Sequence, residues 1–286
     1  MKTPLVSIIT PAYGSASVIG ETIESVLAQD YRNFEFIILN DGSPDNLEDV
    51  VLEYQQQDDR IKYHKQVNQG MCATRNNAIR LASGEYLAFL DNDDLWAPDN
   101  LSKKVKYLNE NPTVGLVHSD TEIIDGKGER QGKVLQGKSG EILDDLLAWN
   151  GTCIPAPSSA MVRRSVHDQT AGFDAQLSIA GDKDYFIQVA SNYPIGRIPE
   201  VTWFYRVHEN NFHKHIDVME KDERRVLMKN KKSKIYRSQS FQNKCVSNTL
   251  MIVGKSWWKD GGNPLRGARM ILEALWAYPA NIKNLV

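Results

Sequence analysis

Apolar and polar positions change period regularly along the first 120 residues. A short apolar run at 5–10, closed by Pro11, predicts a buried strand. Val18, Ile19, Ile23, Val26 and Leu27 then recur at helical spacing within 15–29. The alternation continues with strands at 34–39, 61–65, 86–90 and 114–118, and helices at 47–54, 71–82 and 98–109; Gly84 stops the second of these helices. Units at this tempo predict an α/β fold whose mainly parallel sheet is flanked by helices. Such sheets bind ligands beyond the carboxyl ends of their strands. Tyr13, Asp41 and the run Asp91-Asn92-Asp93-Asp94 each follow a strand directly, so they are expected to share one edge.

After residue 120 the pattern loosens. Ile123-Ile124-Asp125-Gly126 reads as a strand entering a hairpin, 142–149 and 184–192 as helices, and 158–163 and 201–207 as strands. From about Val218 the chain turns helical and basic. This reading divides it into a domain over 1–217, with halves meeting near residue 120, and a C-terminal helical region over 218–286.

Composition narrows the class without naming it. With 286 residues and a formal net charge of -2, bulk charge favours neither a nucleic-acid partner nor an acidic tail. Cys72, Cys153 and Cys245 lack C-x-x-C spacing, which excludes a disulfide framework or zinc ribbon and suits a reducing compartment. The N-terminus has no signal-peptide pattern, and no apolar stretch approaches the ~20 residues that span a bilayer. A cytoplasmic protein is the expectation. The segment 132–139 satisfies G-x-x-x-x-G-K-[ST], but no buried strand precedes it and its surroundings read as a hairpin, so a phosphate loop is not expected there.

Three carboxylates within four residues repel one another, a cost that calls for a compensating cation. Directly after a buried strand, Asp91, Asp93 and Asp94 suit a hard ion such as Mn²⁺ or Mg²⁺ that also takes substrate phosphates. A solvated turn capping the next helix is the alternative reading.

Four stretches, in order, carry a resemblance. They are Ser7-Ile8-Ile9-Thr10-Pro11-Ala12-Tyr13; Asn40-Asp41-Gly42-Ser43; Asn68-Gln69-Gly70 with Ala73-Thr74-Arg75-Asn76; and Gly84-Glu85-Tyr86 running on to Phe89 through Trp96. Together the residues over 5–210 resemble the family 2 glycosyltransferases, which have the GT-A fold. The resemblance implies a nucleotide-sugar donor bound by the first half and an acceptor bound by the second. It implies that Pro11, Ala12 and Tyr13 form the first loop, with the Tyr13 ring stacked on the base. Asp41 would accept from a base N–H, which suits uracil or thymine. Gly70 would admit the nucleotide to the backbone, Arg75 would pair with the base edge or the diphosphate, Asp91 and Asn92 would lie near the ribose, and Asp93 would bind the metal.

The resemblance also implies an acidic pair before a late helix, whose second member deprotonates the acceptor hydroxyl. Asp182 matches that member, Gly181 stands where the first acid is usual, and Asp184 supplies another carboxylate. Asp182 is preferred as the base because Asp184 fits a first helical turn. In Trp203 through His208, His208 could complete the metal shell or touch the diphosphate, and Arg206 could stabilise leaving-group charge. The expected activity is inverting transfer of a sugar from a UDP or dTDP donor to a hydroxyl of a glycan or lipid-linked acceptor. A nucleotidyltransferase and a non-catalytic sugar-nucleotide-binding protein are the rivals. The first usually carries a glycine- and arginine-rich loop after the first strand, where this chain has Pro11-Ala12-Tyr13-Gly14. Over 221–237 basic residues far outnumber Asp222 and Glu223, and Trp257-Trp258 and 264–278 mix aromatic and basic positions. That pattern suits either peripheral contact with a membrane or helices packed on the catalytic domain with a solvated face.

Overall fold

The structure, a computed structural model, describes residues 3–207 and 215–284. Its elements are, in order, β1 (Val6–Ala12), α1 (Ile19–Leu27), β2 (Phe34–Asn40), α2 (Leu47–Gln57), β3 (Ile61–Lys65), α3 (Met71–Leu81), β4 (Tyr86–Phe89), β5 (Leu95–Trp96) and α4 (Asn100–Glu110). There follow β6 (Leu116–Ile124), β7 (Arg130–Leu135), α5 (Leu143–Leu147), β8 (Ala160–Arg163), α6 (Arg164–His167), α7 (Gly181–Ala190), β9 (Ile195–Arg206), α8 (Ile216–Lys232), α9 (Gln239–Lys259) and α10 (Pro264–Ala277).

The strands form one sheet in the order β3-β2-β1-β4-β8-β6-β9-β5, with β7 paired to β6. The first four run parallel; β8 is antiparallel to both β4 and β6, which restores the direction for β6 and its parallel neighbour β9. The sheet is therefore mainly parallel, as its sequence pattern predicts. β1 and β2 carry apolar residues on both of their sides, apart from Ser7, Thr10, Glu35 and Asn40, because both faces are covered. Ile9, Ile37 and Leu39 pack with α3 and α7 on one face, and Val6, Ile8 and Ile38 with α1, α2 and α4 on the other.

Two local expectations need correction. β1 runs through Pro11 to Ala12 rather than ending at Thr10. The carbonyl of Ile9 accepts from Leu90 and that of Ala12 from Asp41, so Pro11 faces the β4 side, where that ladder has already ended and no N–H is required. Segment 130–135 is the exposed second arm of the β6–β7 hairpin, in agreement with the hairpin expected there. Helix α7 begins at Gly181, three residues earlier than its polarity suggests. Helices α8 and α9 pack on the rest of the chain, in line with one of the two readings of the basic region: Val226, Phe241 and Cys245 belong to the core cluster that also holds α7, while a separate small cluster joins α9 to α10.

Candidate active site

Chain order and strand order disagree at β1: β2 flanks it on one side and β4 on the other. Such a reversal opens a crevice at the carboxyl edge. Registered pairing of Ala12 with Asn40 sets Tyr13 beside Asp41, and Thr10 Oγ1 donates to the Leu90 carbonyl at 2.8 Å, fixing the start of the acidic run against the same strand. The three sequence stretches expected to converge share this edge.

Each loop is held by its neighbours. Tyr13 is half exposed, and the backbone after it is tied to the second loop by Gly14 N–H donating to Ser43 Oγ at 2.7 Å and Ala16 N–H donating to Asp45 at 2.9 Å. Asp41 is buried and accepts from the amides of Gln69 (2.8 Å) and Gly70 (2.9 Å) and from Gln66 Nε2 (2.8 Å). Its carboxylate thus organises the 66–70 loop, and three of its roughly four acceptor sites are taken within the protein. Gly70 has φ of 85° just before α3, a conformation that favours glycine.

The acidic run divides by partner. Asp91 pairs with Arg75, and its amide donates to Ser158 Oγ at 3.0 Å. Asp94 points inward, accepting from Trp203 Nε1 and the Arg206 amide at 3.0 Å each. Burial, with the charges of Asp93 and Asp91 beside it, pushes Asp94 well above the usual carboxylate range. The Asn92 carbonyl accepts from Thr22 Oγ1, and the Asp93 carbonyl accepts from Arg206 Nε. Mutual repulsion is therefore relieved partly inside the protein: by a guanidinium at Asp91, and by burial with two donors at Asp94.

Arg75 differs most from expectation. Its side chain, expected to meet the base edge or the diphosphate, is fully buried behind Phe173 (5.4 Å from ring centroid to guanidinium carbon) and bridges Asp91 and Asp182. Burial opposes its charge, yet Asp182 and Asp91 hold its pKa above the ordinary value. Arg206 differs too. It is buried, and its guanidinium donates to the carbonyls of Asp93 and Gly126 and to Glu21, so it braces the acidic run from behind.

Asp182 and Asp184 both lie in the first turn of α7, so helix position does not separate them. Partners do. Asp184 is buried and pairs with Lys229 of α8 at 2.6 Å. Asp182 meets Arg75 at the crevice with 28% of its side chain exposed. Burial, reinforced by the Asp91 charge and opposed by Arg75, raises its pKa to about 6. The α7 entry is held from α8: one oxygen of Asp222 accepts from the successive amides of Ser178 (2.7 Å), Ile179 (2.7 Å) and Ala180 (3.2 Å), and Glu223 pairs with Lys183 at 2.8 Å. Sequence reasoning missed Asp222, which reads there as a minority charge in a basic run.

His208 lies outside the described residues. Among the described residues, no group of three or more His, Cys, Asp or Glu side chains is placed to hold a metal. The carboxylates of the acidic run at this edge would suit Mn²⁺ or Mg²⁺, which are usually held by one or two carboxylates together with substrate phosphates.

A curled, mainly parallel sheet with an acidic run at its switch point and a second acid facing it defines a GT-A glycosyltransferase fold. The chain matches the Glycosyl transferase family 2 profile over residues 7–170, and it belongs to that family. It is 33% identical over 216 residues to an uncharacterised glycosyltransferase of Nostoc sp., covering 73% of this chain and 66% of that one. It is 41% identical over 108 residues to the putative teichuronic acid biosynthesis glycosyltransferase TuaG of Bacillus subtilis, covering 37% and 43%. The chain thus spans less than two thirds of each of these relatives. In fold it resembles S. aureus TarS in complex with UDP-GlcNAc (TM-score 0.61, 17% identity, 96% of this chain and 72% of that one). It also resembles the mannosyltransferase PcManGT of Pyrobaculum calidifontis in complex with GDP-Man and Mn²⁺ (TM-score 0.67, 19% identity, 97% and 76%).

Proposed function

We propose that this chain transfers a sugar from a nucleoside diphosphate, UDP or dTDP, to a hydroxyl of a glycan or lipid-linked acceptor, with inversion, in surface polysaccharide assembly at the cytoplasmic side of a membrane. The observation that carries the reading is the meeting of Asp182 and Asp91 on one guanidinium at the carboxyl edge of the sheet. It joins the acid expected near the donor ribose to the acid expected to act on the acceptor.

In this reading the half-exposed Tyr13 ring receives the base, Asp41 and Gly70 shape the loop beside it, and Pro11 and Ala12 bring the first strand to the edge. Asp91 and Asn92 face the ribose, and Asp93 supplies the metal carboxylate. When bound there, Mn²⁺ or Mg²⁺ offsets charge on the departing diphosphate. Asp182 accepts the acceptor's proton as the hydroxyl oxygen bonds to the anomeric carbon and the bond from that carbon to the diphosphate breaks. A pKa near 6 suits that duty, since the carboxylate is ionised at neutral pH yet more basic than an ordinary aspartate. The TuaG relation supports a polysaccharide setting, and the TarS and PcManGT complexes support a nucleotide-sugar donor.

Two measurements test this. A thermal-shift panel of UDP-, dTDP- and GDP-sugars with Mn²⁺ should select a pyrimidine donor; stabilisation by GDP-sugars alone overturns the base assignment. Asp182→Asn should lower transfer by about 10²–10⁴-fold while donor stabilisation persists, and unchanged turnover removes Asp182 from the role.

A further inference from the structure

α10 is apolar on two opposite faces. Gly267, Met270 and Ala274 are buried, and Met270 and Ala274 pack against α9. On the other side Leu265, Arg269, Leu272 and Trp276 follow one another at intervals of four, three and four residues, which aligns them along one stripe. Leu265 is 84% exposed, Leu272 67% and Trp276 89%. Trp258 at the end of α9 and Ile282 in the turn after α10 are exposed as well. An apolar row of this kind on a helix's outer face calls for an occupant.

Charge indicates which. Over 255–284 the chain carries Lys255, Lys259, Arg266, Arg269 and Lys283 against Asp260 and Glu273. Glu273 pairs with Arg269 and Arg224, and Arg266 pairs with Glu220, so the basic excess beside the stripe is reduced but not cancelled. Exposed tryptophan and leucine with flanking arginine and lysine is the composition of a helix lying in an anionic lipid interface. α10 has 14 residues, about 21 Å, short of the ~30 Å hydrocarbon core, and no helix among the described residues is long and apolar enough to cross a membrane. The geometry suits lying on a bilayer.

We infer that the outer stripe of α10 is a docking surface for an anionic lipid bilayer, which seats the enzyme where a lipid-linked acceptor is presented. The acceptor half of this statement rests on the proposed transferase reading; the docking surface itself does not. α8 and α9 connect the two structurally, because Asp222 of α8 holds the entry to the helix bearing Asp182 and α10 packs on α9.

Flotation of the full chain with vesicles tests it. With equal parts phosphatidylglycerol and phosphatidylcholine the protein should float. Binding should fall about tenfold or more in the Leu265→Ser/Leu272→Ser/Trp276→Ser variant, and more modestly with Arg269→Glu, in high salt, or on phosphatidylcholine alone. These side chains point to solvent, so the variants should keep the parent's thermal stability. Equal binding by parent and triple variant, or no flotation of the parent, overturns the inference. So does a dimer in solution that the triple variant dissolves, which assigns the stripe to a second copy. Donor hydrolysis measured on the same samples without vesicles separates the two claims: if hydrolysis persists and flotation fails, only the docking surface is lost, and the converse removes only the transferase reading.

Discussion

Tyr13, Asp41 and Asp91 follow strands whose mutual register fixes them, seven paired positions between β1 and β2 and four between β1 and β4. Asp182 instead opens a helix at the end of a long irregular stretch and takes its position from outside, through Asp222, Glu223 and Lys229 of α8. The edge proposed for the donor is thus positioned by backbone ladders, and the proposed base by side chains about 40 residues further along the chain. Arg75 joins the two by pairing with an acid from each. A backbone ladder survives loss of one side chain, whereas a placement that depends on one carboxylate does not, so the side bearing Asp182 should be the more easily disturbed.

Asp222→Ala puts that difference to the largest test. It leaves three successive amides without their acceptor and loosens the α7 entry. Turnover should fall about 10–100-fold while donor KM stays within about twofold, because small misplacements of a reacting group cost rate rather than uniform binding. Asp222→Asn keeps an acceptor oxygen and should recover much of the loss. Asp41→Asn should do the reverse, raising donor KM through the 66–70 loop with a smaller effect on turnover. Equal changes in both parameters for both variants would erase the distinction.

The same difference explains what could be read from the chain. Strands buried on both faces leave mainly apolar runs, so β1, β2 and β4 and the residues at their ends are visible as pattern. Pro11 looked like a terminator because the missing β4 partner at that position is a property of the sheet. The polar triplet Gly181-Asp182-Lys183 looked like loop because the carboxylate that holds its entry, Asp222, lies 40 residues away. Arg75 and Arg206 each resemble a cation aimed at phosphate; their burial depends on Phe173 and on β9, which no local spacing announces. Asp91–Asp94 read as one acidic cluster, yet Arg75 and Trp203 divide it.

Proton occupancy offers a second, smaller separation. The Asp182 pKa is raised from 3.8 to about 6, first by burial and then by the Asp91 charge. Below that value the carboxyl is protonated and accepts no proton, so kcat/KM should drop about tenfold per pH unit on the acid side, with a limb near pH 6. Donor stabilisation by thermal shift, which does not require Asp182 to be ionised, should stay flat between pH 5 and about 7. A donor-binding curve that bends together with the rate would assign the limb to the donor edge instead.

The smallest effect is expected where the two regions touch without chemistry. A Cβ placed on Gly181 would come within 2.3 Å of Cys72 Sγ, closer than real side chains approach. Cys72 sits on α3 of the donor half, and both it and Gly181 are buried. This contact accounts for glycine at the position where the family resemblance leads one to expect an acid: with sulfur filling the space, a larger residue has no room. Gly181→Ala alone should therefore cost about 1–3 kcal/mol through overpacking. Adding Cys72→Ala removes the clashing sulfur, so the double variant should regain about 1 kcal/mol or more relative to the sum of the single changes. Urea melts of the four proteins measure that coupling. Strict additivity would mean that α3 and α7 shift apart freely at this seam, and that α7 is held by α8 alone.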